Sequence, residues 1–196
     1  MIKAIILDWG GVLIDDPVPG YITYCSQYLK VPKEELDKAI RKFRFDFARG
    51  IISEVVFWKK VCSELKVSEP HISSLWTNAF RAVYSEKSDV LSIVSSLKRD
   101  GYKVALLSNT EVPIASCFPE KKYRIFDVAV FSCIEGVVKP DRKIYEITLE
   151  RLGVRPQEAV FIDDKEENVR VAKNIGINTS LFQNSEQFKK ELFSFL

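Results

Sequence analysis

The chain is poor in the features that mark several large functional classes. No apolar run reaches the roughly 18 residues of a membrane-spanning helix. The start, MIKAIILDW, goes straight into a strand-like segment and lacks the long apolar stretch and small-residue cleavage site of a signal peptide. Net charge is only +2, so neither nucleic acid nor an anionic membrane is indicated as a partner. Cys25, Cys62, Cys117 and Cys133 are scattered with no C-x-x-C pair, which suits reduced core thiols better than a zinc site or a disulfide framework. The one histidine, His71, sits beside Pro70 and reads as structural. Internal repeats and low-complexity segments are absent. The expectation is a cytoplasmic protein, monomer or weak homodimer. Its 196 residues suffice for one core with a smaller insert.

What is present centres on residues 4–13, AIILDWGGVL. Ala4 to Leu7 form a short apolar run, β-branched at Ile5 and Ile6, that suits a strand buried on both faces of a parallel sheet. Asp8 ends it and Gly10-Gly11 turn the backbone. An ionised group out of water needs partners, and ligands of open α/β sheets sit outside the carboxyl ends of the strands. The turn's free N–H groups suit an anion. Taken alone, the stretch fits a surface turn with an exposed Asp equally well.

A helical section follows. Helices are expected over Pro19–Lys30, over Lys33–Arg49 with Gly50 closing it, after an N-cap at Ser53, and over Pro70–Tyr84. No strand pattern interrupts residues 17–85, which read as a helical cap inserted into a sheet domain made of 1–16 and 86–196. From Asp89 the rhythm changes. Val90–Arg99 reads as a helix with Gly101 at its C-cap position, and Lys103–Leu107 as a buried strand ending in Ser108-Asn109-Thr110. Phe126–Phe131 is a third strand, Asp141–Leu152 a helix closed by Gly153, and Ala159–Ile162 a strand ending in Asp163-Asp164. Glu166–Ile175, strand Asn178–Phe182 and a last helix from Ser185 complete the chain. Such alternation is the signature of a Rossmann-like parallel sheet in an α/β protein.

Three strands therefore end in chemistry, at Asp8, Ser108-Asn109 and Asp163-Asp164, with Lys139-Pro140-Asp141 just before a helix. Carboxylates gathered at one rim repel unless a cation lies between them. An all-oxygen site favours Mg²⁺, which keeps waters for a phosphate, and Lys139 and the Ser108 hydroxyl supply donors opposite the metal. Each residue also has a plainer role open to it. Ser108 and Asn109 could cap a following helix, as could Asp163 or Asp164, and Lys139 could be a solvated loop lysine. Asp141 reads as the cap of its own helix rather than a catalytic group, and Asn168 either braces the acidic pair or is an ordinary helix polar residue. Tyr21, Tyr24, Arg44, Arg49 and Trp58 in the helical section, and Glu111 after the second motif, are weaker candidates for facing the substrate.

Over essentially its full length the sequence resembles the haloacid dehalogenase-like (HAD) superfamily. Its four motifs appear in order as ILDWGGVL, LLSNT, the Lys of GVVKPD, and FIDD. The resemblance implies an HAD-like fold with a helical cap and a Mg²⁺-dependent phosphatase acting on small phosphorylated metabolites, sugar phosphates among them. It makes Asp8 the nucleophile that forms an aspartyl-phosphate. Ser108 binds the transferring phosphoryl group, with Trp9, Gly10 and Asn109 beside it, and Lys139 joins nucleophile and phosphate. The metal would be held by Asp8, the Gly10 carbonyl, Asp163 and Asp164. One residue departs from the pattern. Family phosphatases usually carry an Asp two residues after the nucleophile as general acid and base, a role typically worth ~10²–10⁴-fold, and here that position is Gly10. A D-x-G first motif recurs in a branch that resembles sugar-phosphate phosphatases and the phosphatase domain of epoxide hydrolases. Water, a cap residue, Asp15 or Asp16 could take the missing part. The alternatives are a haloacid dehalogenase-type hydrolase, whose departing halide needs no acid, and a low-activity member that binds a phosphorylated ligand.

Overall fold

The first strand, β1 (Ala4–Leu7), is fully buried and lies at the centre of the molecule in a computed structural model that describes residues 1–196. Four helices follow it: α1 (Val18–Leu29), α2 (Lys33–Ala48), α3 (Glu54–Leu65) and α4 (Leu75–Val83). Then come α5 (Ser88–Arg99), β2 (Lys103–Ser108), a one-turn helix α6 (Val112–Ala115), β3 (Val128–Phe131) and another one-turn helix α7 (Ser132–Glu135). The chain ends with α8 (Arg142–Leu152), β4 (Ala159–Asp163), α9 (Glu166–Ile175), β5 (Asn178–Leu181) and α10 (Ser185–Phe195). No helix is long and apolar enough to cross a membrane.

The five strands form one parallel sheet in the order β3-β2-β1-β4-β5. Side chains alternate across the pleat, and the sequence respects this on both faces. Ile5, Leu7, Val104, Leu106, Val160 and Ile162 join one large apolar cluster, whereas Ala4, Ile6, Ala105, Leu107, Ala159 and Phe161 join a second with α8 and α9. The larger cluster also takes in Tyr21, Phe47, Phe57, Trp76 and Phe80 from α1–α4. Those helices thus continue the core of one sheet face.

Several boundaries differ from the sequence expectation for local reasons. The helix expected over Pro70–Tyr84 starts only at Leu75, because the Ser74 side chain accepts from Thr77 N at 2.9 Å and caps it there. The third strand begins at Val128 rather than Phe126. Asp127 instead turns its carboxylate to Val104 N at 2.8 Å and to Lys98. Asp141 caps α8 through Lys143 N at 2.9 Å, as expected.

The strand order decides where chemistry can gather. The chain runs outward from β1 to β2 and β3, then crosses back to β4 on the other side. A crevice opens at such a reversal beyond the carboxyl ends of the strands, and Asp8, Ser108 and Asp163 stand at the ends of the three adjacent strands that flank it.

Candidate active site

Asp8 is 5% exposed, and its Oδ1 accepts from Trp9 N at 2.7 Å and lies 2.8 Å from Lys139 Nζ. The same ammonium donates to Asp163 Oδ2 at 2.6 Å and to the Leu107 carbonyl at 2.9 Å. One buried lysine therefore bridges the ends of β1, β2 and β4. Asp163 is further held by Lys165 N at 2.8 Å and by Asn168 Nδ2 at 3.0 and 3.1 Å to its two oxygens. Asn168, 2% exposed, thus braces Asp163 and not its neighbour Asp164.

Burial pushes Asp8 up to about 6 from the usual 3.8; Lys139 pulls the other way and Asp163 adds to the rise. Burial also works against the Lys139 charge, but Asp163 and Asp8 outweigh it and hold the ammonium above its ordinary range. Asp164 is raised by burial and then by Asp163. Ligand oxygens of Asp8, Asp163 and Asp164 lie within 4.8 Å of one another, and Asp164 Oδ1 is buried without a hydrogen-bond partner. An all-carboxylate cluster of this kind, with an unpartnered oxygen and one ammonium for three acids, fits a hard divalent cation such as Mg²⁺.

The turn after β1 makes the approach of Asp164 possible. Gly11 has φ +88°, and a Cβ there would lie 2.5 Å from the Asp164 carboxylate. Trp9 reaches the site through its backbone N–H, while its ring is buried in edge contacts with Phe80 and Phe118 at centroid distances of 5.4 and 5.3 Å.

At the end of β2, Ser108 Oγ shares a 2.6 Å hydrogen bond with Thr110 Oγ1, and both residues line the cleft. Thr110 stood in the quoted LLSNT motif but was not singled out. Neither Ser108 nor Asn109 caps the next helix, whose N-cap is Glu111. The Asn109 side chain is engaged on both its atoms: Nδ2 donates to the Lys139 carbonyl at 2.8 Å and Oδ1 accepts from Lys139 N at 2.7 Å. It clamps the backbone that presents the lysine.

The cleft above these residues, about 530 Å³ counted out to its open mouth, is closed by the loop after β1 and by α1, α2 and α4. Asp16, Tyr21, Arg44, Phe80, Glu111 and Lys165 contribute to its walls. Of the weaker sequence candidates, only Tyr21, Arg44 and Glu111 reach it. Tyr24 opens onto a separate groove beside Val83, Arg49 stacks on Phe45 at 4.4 Å, and Trp58 donates to Glu54 inside the helical layer. Asp15 faces Lys87 at 2.8 Å and is 61% exposed at its side chain. His71 lies exposed in the loop before α4. Lys165 escaped the sequence reading because nothing in its pattern separates it from a surface lysine.

Comparisons with known proteins agree with this architecture. Residues 2–176 match the family model described as haloacid dehalogenase-like hydrolase. The chain is 30% identical over 205 residues to mouse acyl-CoA dehydrogenase family member 10, covering 99% of this chain but 19% of that protein. It likewise spans 38% of rat bifunctional epoxide hydrolase 2, at 23% identity. A D-ribitol-5-phosphate phosphatase of Bacteroides thetaiotaomicron is 29% identical, with 98% of this chain and 97% of that one covered. Among solved structures, an HAD family enzyme of the same bacterium in complex with magnesium and inorganic phosphate aligns with TM-score 0.74 at 25% identity, covering 93% and 95% of the two chains. Four motifs brought to one crevice and a family match over nearly the whole length lead to one assignment: this chain belongs to the haloacid dehalogenase-like hydrolases.

Proposed function

We propose that the protein is a Mg²⁺-dependent phosphatase of small phosphorylated metabolites that works through an aspartyl-phosphate on Asp8. The observation that carries this reading is the convergence of Asp8, Asp163 and Asp164 within 4.8 Å of one another around the buried Lys139. The phosphatase named among the relatives and the magnesium and phosphate complex among the similar structures support it.

Asp8, Asp163, Asp164 and the Gly10 carbonyl would hold the ion. When bound, Mg²⁺ withdraws charge from the phosphoryl oxygens and offsets the repulsion among the three acids. Asp8 Oδ1 is held by Trp9 N–H and Lys139, which fixes the carboxylate and leaves Oδ2 to attack phosphorus. The phosphorus–ester oxygen bond breaks as the aspartyl bond forms, and the leaving oxygen takes up a proton from water. A second water then attacks phosphorus, releasing inorganic phosphate and restoring Asp8. Lys139, the Ser108 hydroxyl and the N–H groups of the turn after Asp8 stabilise the charge on the transferred group. Gly10 has no side chain to move a proton. Catalysis therefore rests on charge stabilisation and favours esters with good leaving groups. Helices α1–α4 act as a cap that covers the phosphoryl group and excludes bulk water.

Phosphate release from p-nitrophenyl phosphate tests the reading. It should require Mg²⁺, stop on chelation and be abolished by Asp8→Asn. Hydrolysis of a 2-haloacid that survives chelation, with no phosphate release from the ester, would instead favour carbon–halogen chemistry, and tight Mg²⁺-dependent phosphate binding without turnover a ligand-binding role.

A further inference from the structure

Glu111, three residues past Ser108, lines the cleft that contains Asp8, and the chemistry above gives it no part. It is 3% exposed. Its carbonyl accepts from Ile114 N at 3.0 Å and Ala115 N at 2.9 Å, which roots the residue at the start of α6. Its side chain crosses to the helical layer, where Oε2 accepts from Trp76 Nε1 at 3.1 Å. Oε1 has no hydrogen-bond partner, and Arg44 Nε stands 3.5 Å from it. A buried carboxylate so incompletely paired adds little to stability. What it adds is direction. The Trp76 ring packs on Tyr21, Phe47, Phe57 and Trp58 at centroid distances of 5.1, 5.8, 5.5 and 5.8 Å. Apolar contacts of this kind are non-directional, so the helices could slide on the sheet, whereas a buried hydrogen bond holds them in one register. Beside it, Thr77 Oγ1 donates to the Pro113 carbonyl at 3.4 Å, on the same segment as Glu111.

That register matters because α4 also reaches the nucleophile. Phe80, four residues after Trp76 and so on the same side of the helix, packs edge-on against the Trp9 ring at 5.4 Å. Trp9 in turn supplies the N–H that holds Asp8 Oδ1 at 2.7 Å. We infer that Glu111 is a positioning residue for Asp8: through Trp76 it fixes α4, α4 seats Trp9 through Phe80, and Trp9 aims the carboxylate at phosphorus. The inference rests on the phosphatase reading. Misplacing a reacting atom by about 1 Å can cost roughly 10²-fold in rate. Ser108, Lys139 and the metal ligands, which bind the phosphoryl oxygens, do not depend on these contacts. Loss of Glu111 should therefore lower kcat and spare KM. It should do so alike for every ester, because the fault lies at the attacking oxygen and not at the leaving one.

The test uses the full chain with Mg²⁺ and two esters, p-nitrophenyl phosphate and phenyl phosphate, assayed well below the melting temperature of each variant. Glu111→Ala should lower kcat by roughly 10²-fold on both esters. KM and the inhibition constant of inorganic phosphate should stay within about threefold of wild type. Trp76→Phe and Phe80→Leu should show the same pattern at about tenfold or more. Glu111→Ala combined with Trp76→Phe should be scarcely slower than Glu111→Ala alone, since the two changes remove one contact. Glu111→Gln keeps an acceptor for the indole and should restore kcat to within about threefold of wild type. Phe80→Leu leaves the Trp76 bond in place and most of the apolar volume filled, so it carries the test should Glu111→Ala not fold. Unchanged kcat alongside a lower melting temperature would mark Glu111 as structural and overturn the inference. A loss confined to one ester, or one that Glu111→Gln reproduces and Trp76→Phe does not, would place Glu111 on the leaving oxygen and overturn it as well. Release of phosphate from neither ester by wild type would overturn the phosphatase reading, and the inference with it.

Discussion

At Gly11 the absence of a side chain places Asp164. With φ +88° and only 2.5 Å between a built Cβ and the Asp164 carboxylate, an alanine must push the acid away from Asp8 and Asp163. Gly11→Ala should weaken Mg²⁺ binding by about 10–100-fold, the range seen when groups that position metal ligands are lost; calorimetric titration giving an unchanged affinity would argue against this placement. Gly10 offers the opposite experiment. A Cβ there would meet Pro17 Cδ at 3.1 Å, a contact that a small shift of the proline ring can relieve. Gly10→Asp should raise kcat for alkyl phosphates, by up to ~10²-fold if the new carboxyl acts as acid, with a smaller effect on p-nitrophenyl phosphate. Equal changes on both substrates would contradict the proposed lack of acid catalysis. Asp8, Ser108 and the acidic pair were legible as polar residues ending apolar strands, whereas Lys139, in the loop before α8, stood out only beside Pro140 and a helix start and through the motif it completes. Asn109 was legible only as a member of the group. Its grip on the Lys139 backbone depends on a loop thirty residues downstream, and no local pattern encodes that.

At the scale of elements, the join between α2 and the end of β3 is set by one close approach. Gly50 has φ +70°, and a Cβ on it would fall 2.3 Å from the Cys133 carbonyl at the start of α7. Beside it, Ser132 Oγ donates to the Ala48 carbonyl at 2.7 Å and accepts from Thr110 N at 2.9 Å, tying α2 to the second motif. Gly50→Ala should destabilise the fold by about 2 kcal/mol or more through strain and displacement, read as a lower urea midpoint. A second joint lies at the opposite end of the sheet, where Glu158 pairs with Arg155 at 3.1 Å and Lys3 at 2.7 Å. Hydrogen bonds from Arg155 and then Lys3 bring Glu158 down to about 2 from 4.5. Its folded value lies below its unfolded one, so its contribution is present above about pH 4.5 and is lost as pH falls toward 2. Urea midpoints of Glu158→Gln should therefore fall less steeply than those of wild type across that window; parallel curves would count against the pairing. The strands and the longer helices could be read from apolar spacing, but the one-turn helices α6 and α7 were not, being too short to show a period. Ends at Leu75 and Val128 could not, because Ser74 and Asp127 decide them through single hydrogen bonds.

For the whole molecule, the order β3-β2-β1-β4-β5 turns four separated motifs into one crevice. Alternating helices and strands made a parallel sheet legible but not its strand order, since periodicity says nothing about which strands are neighbours. The relation of α1–α4 to the sheet was hidden for the same reason. Trp9, Tyr21, Phe80 and Phe131 from both regions share one apolar cluster, whereas each region alone reads as a self-contained pattern. The central claim is that Asp8 accepts the phosphoryl group in this crevice. Its most direct test is to quench the protein during turnover of p-nitrophenyl phosphate with Mg²⁺, reduce it with borohydride and sequence the peptide carrying residue 8 by mass spectrometry. Conversion of Asp8 to homoserine, dependent on both substrate and Mg²⁺, is the expected result. Sustained turnover with Asp8 unmodified at every quench time, and retained in Asp8→Asn, would contradict it.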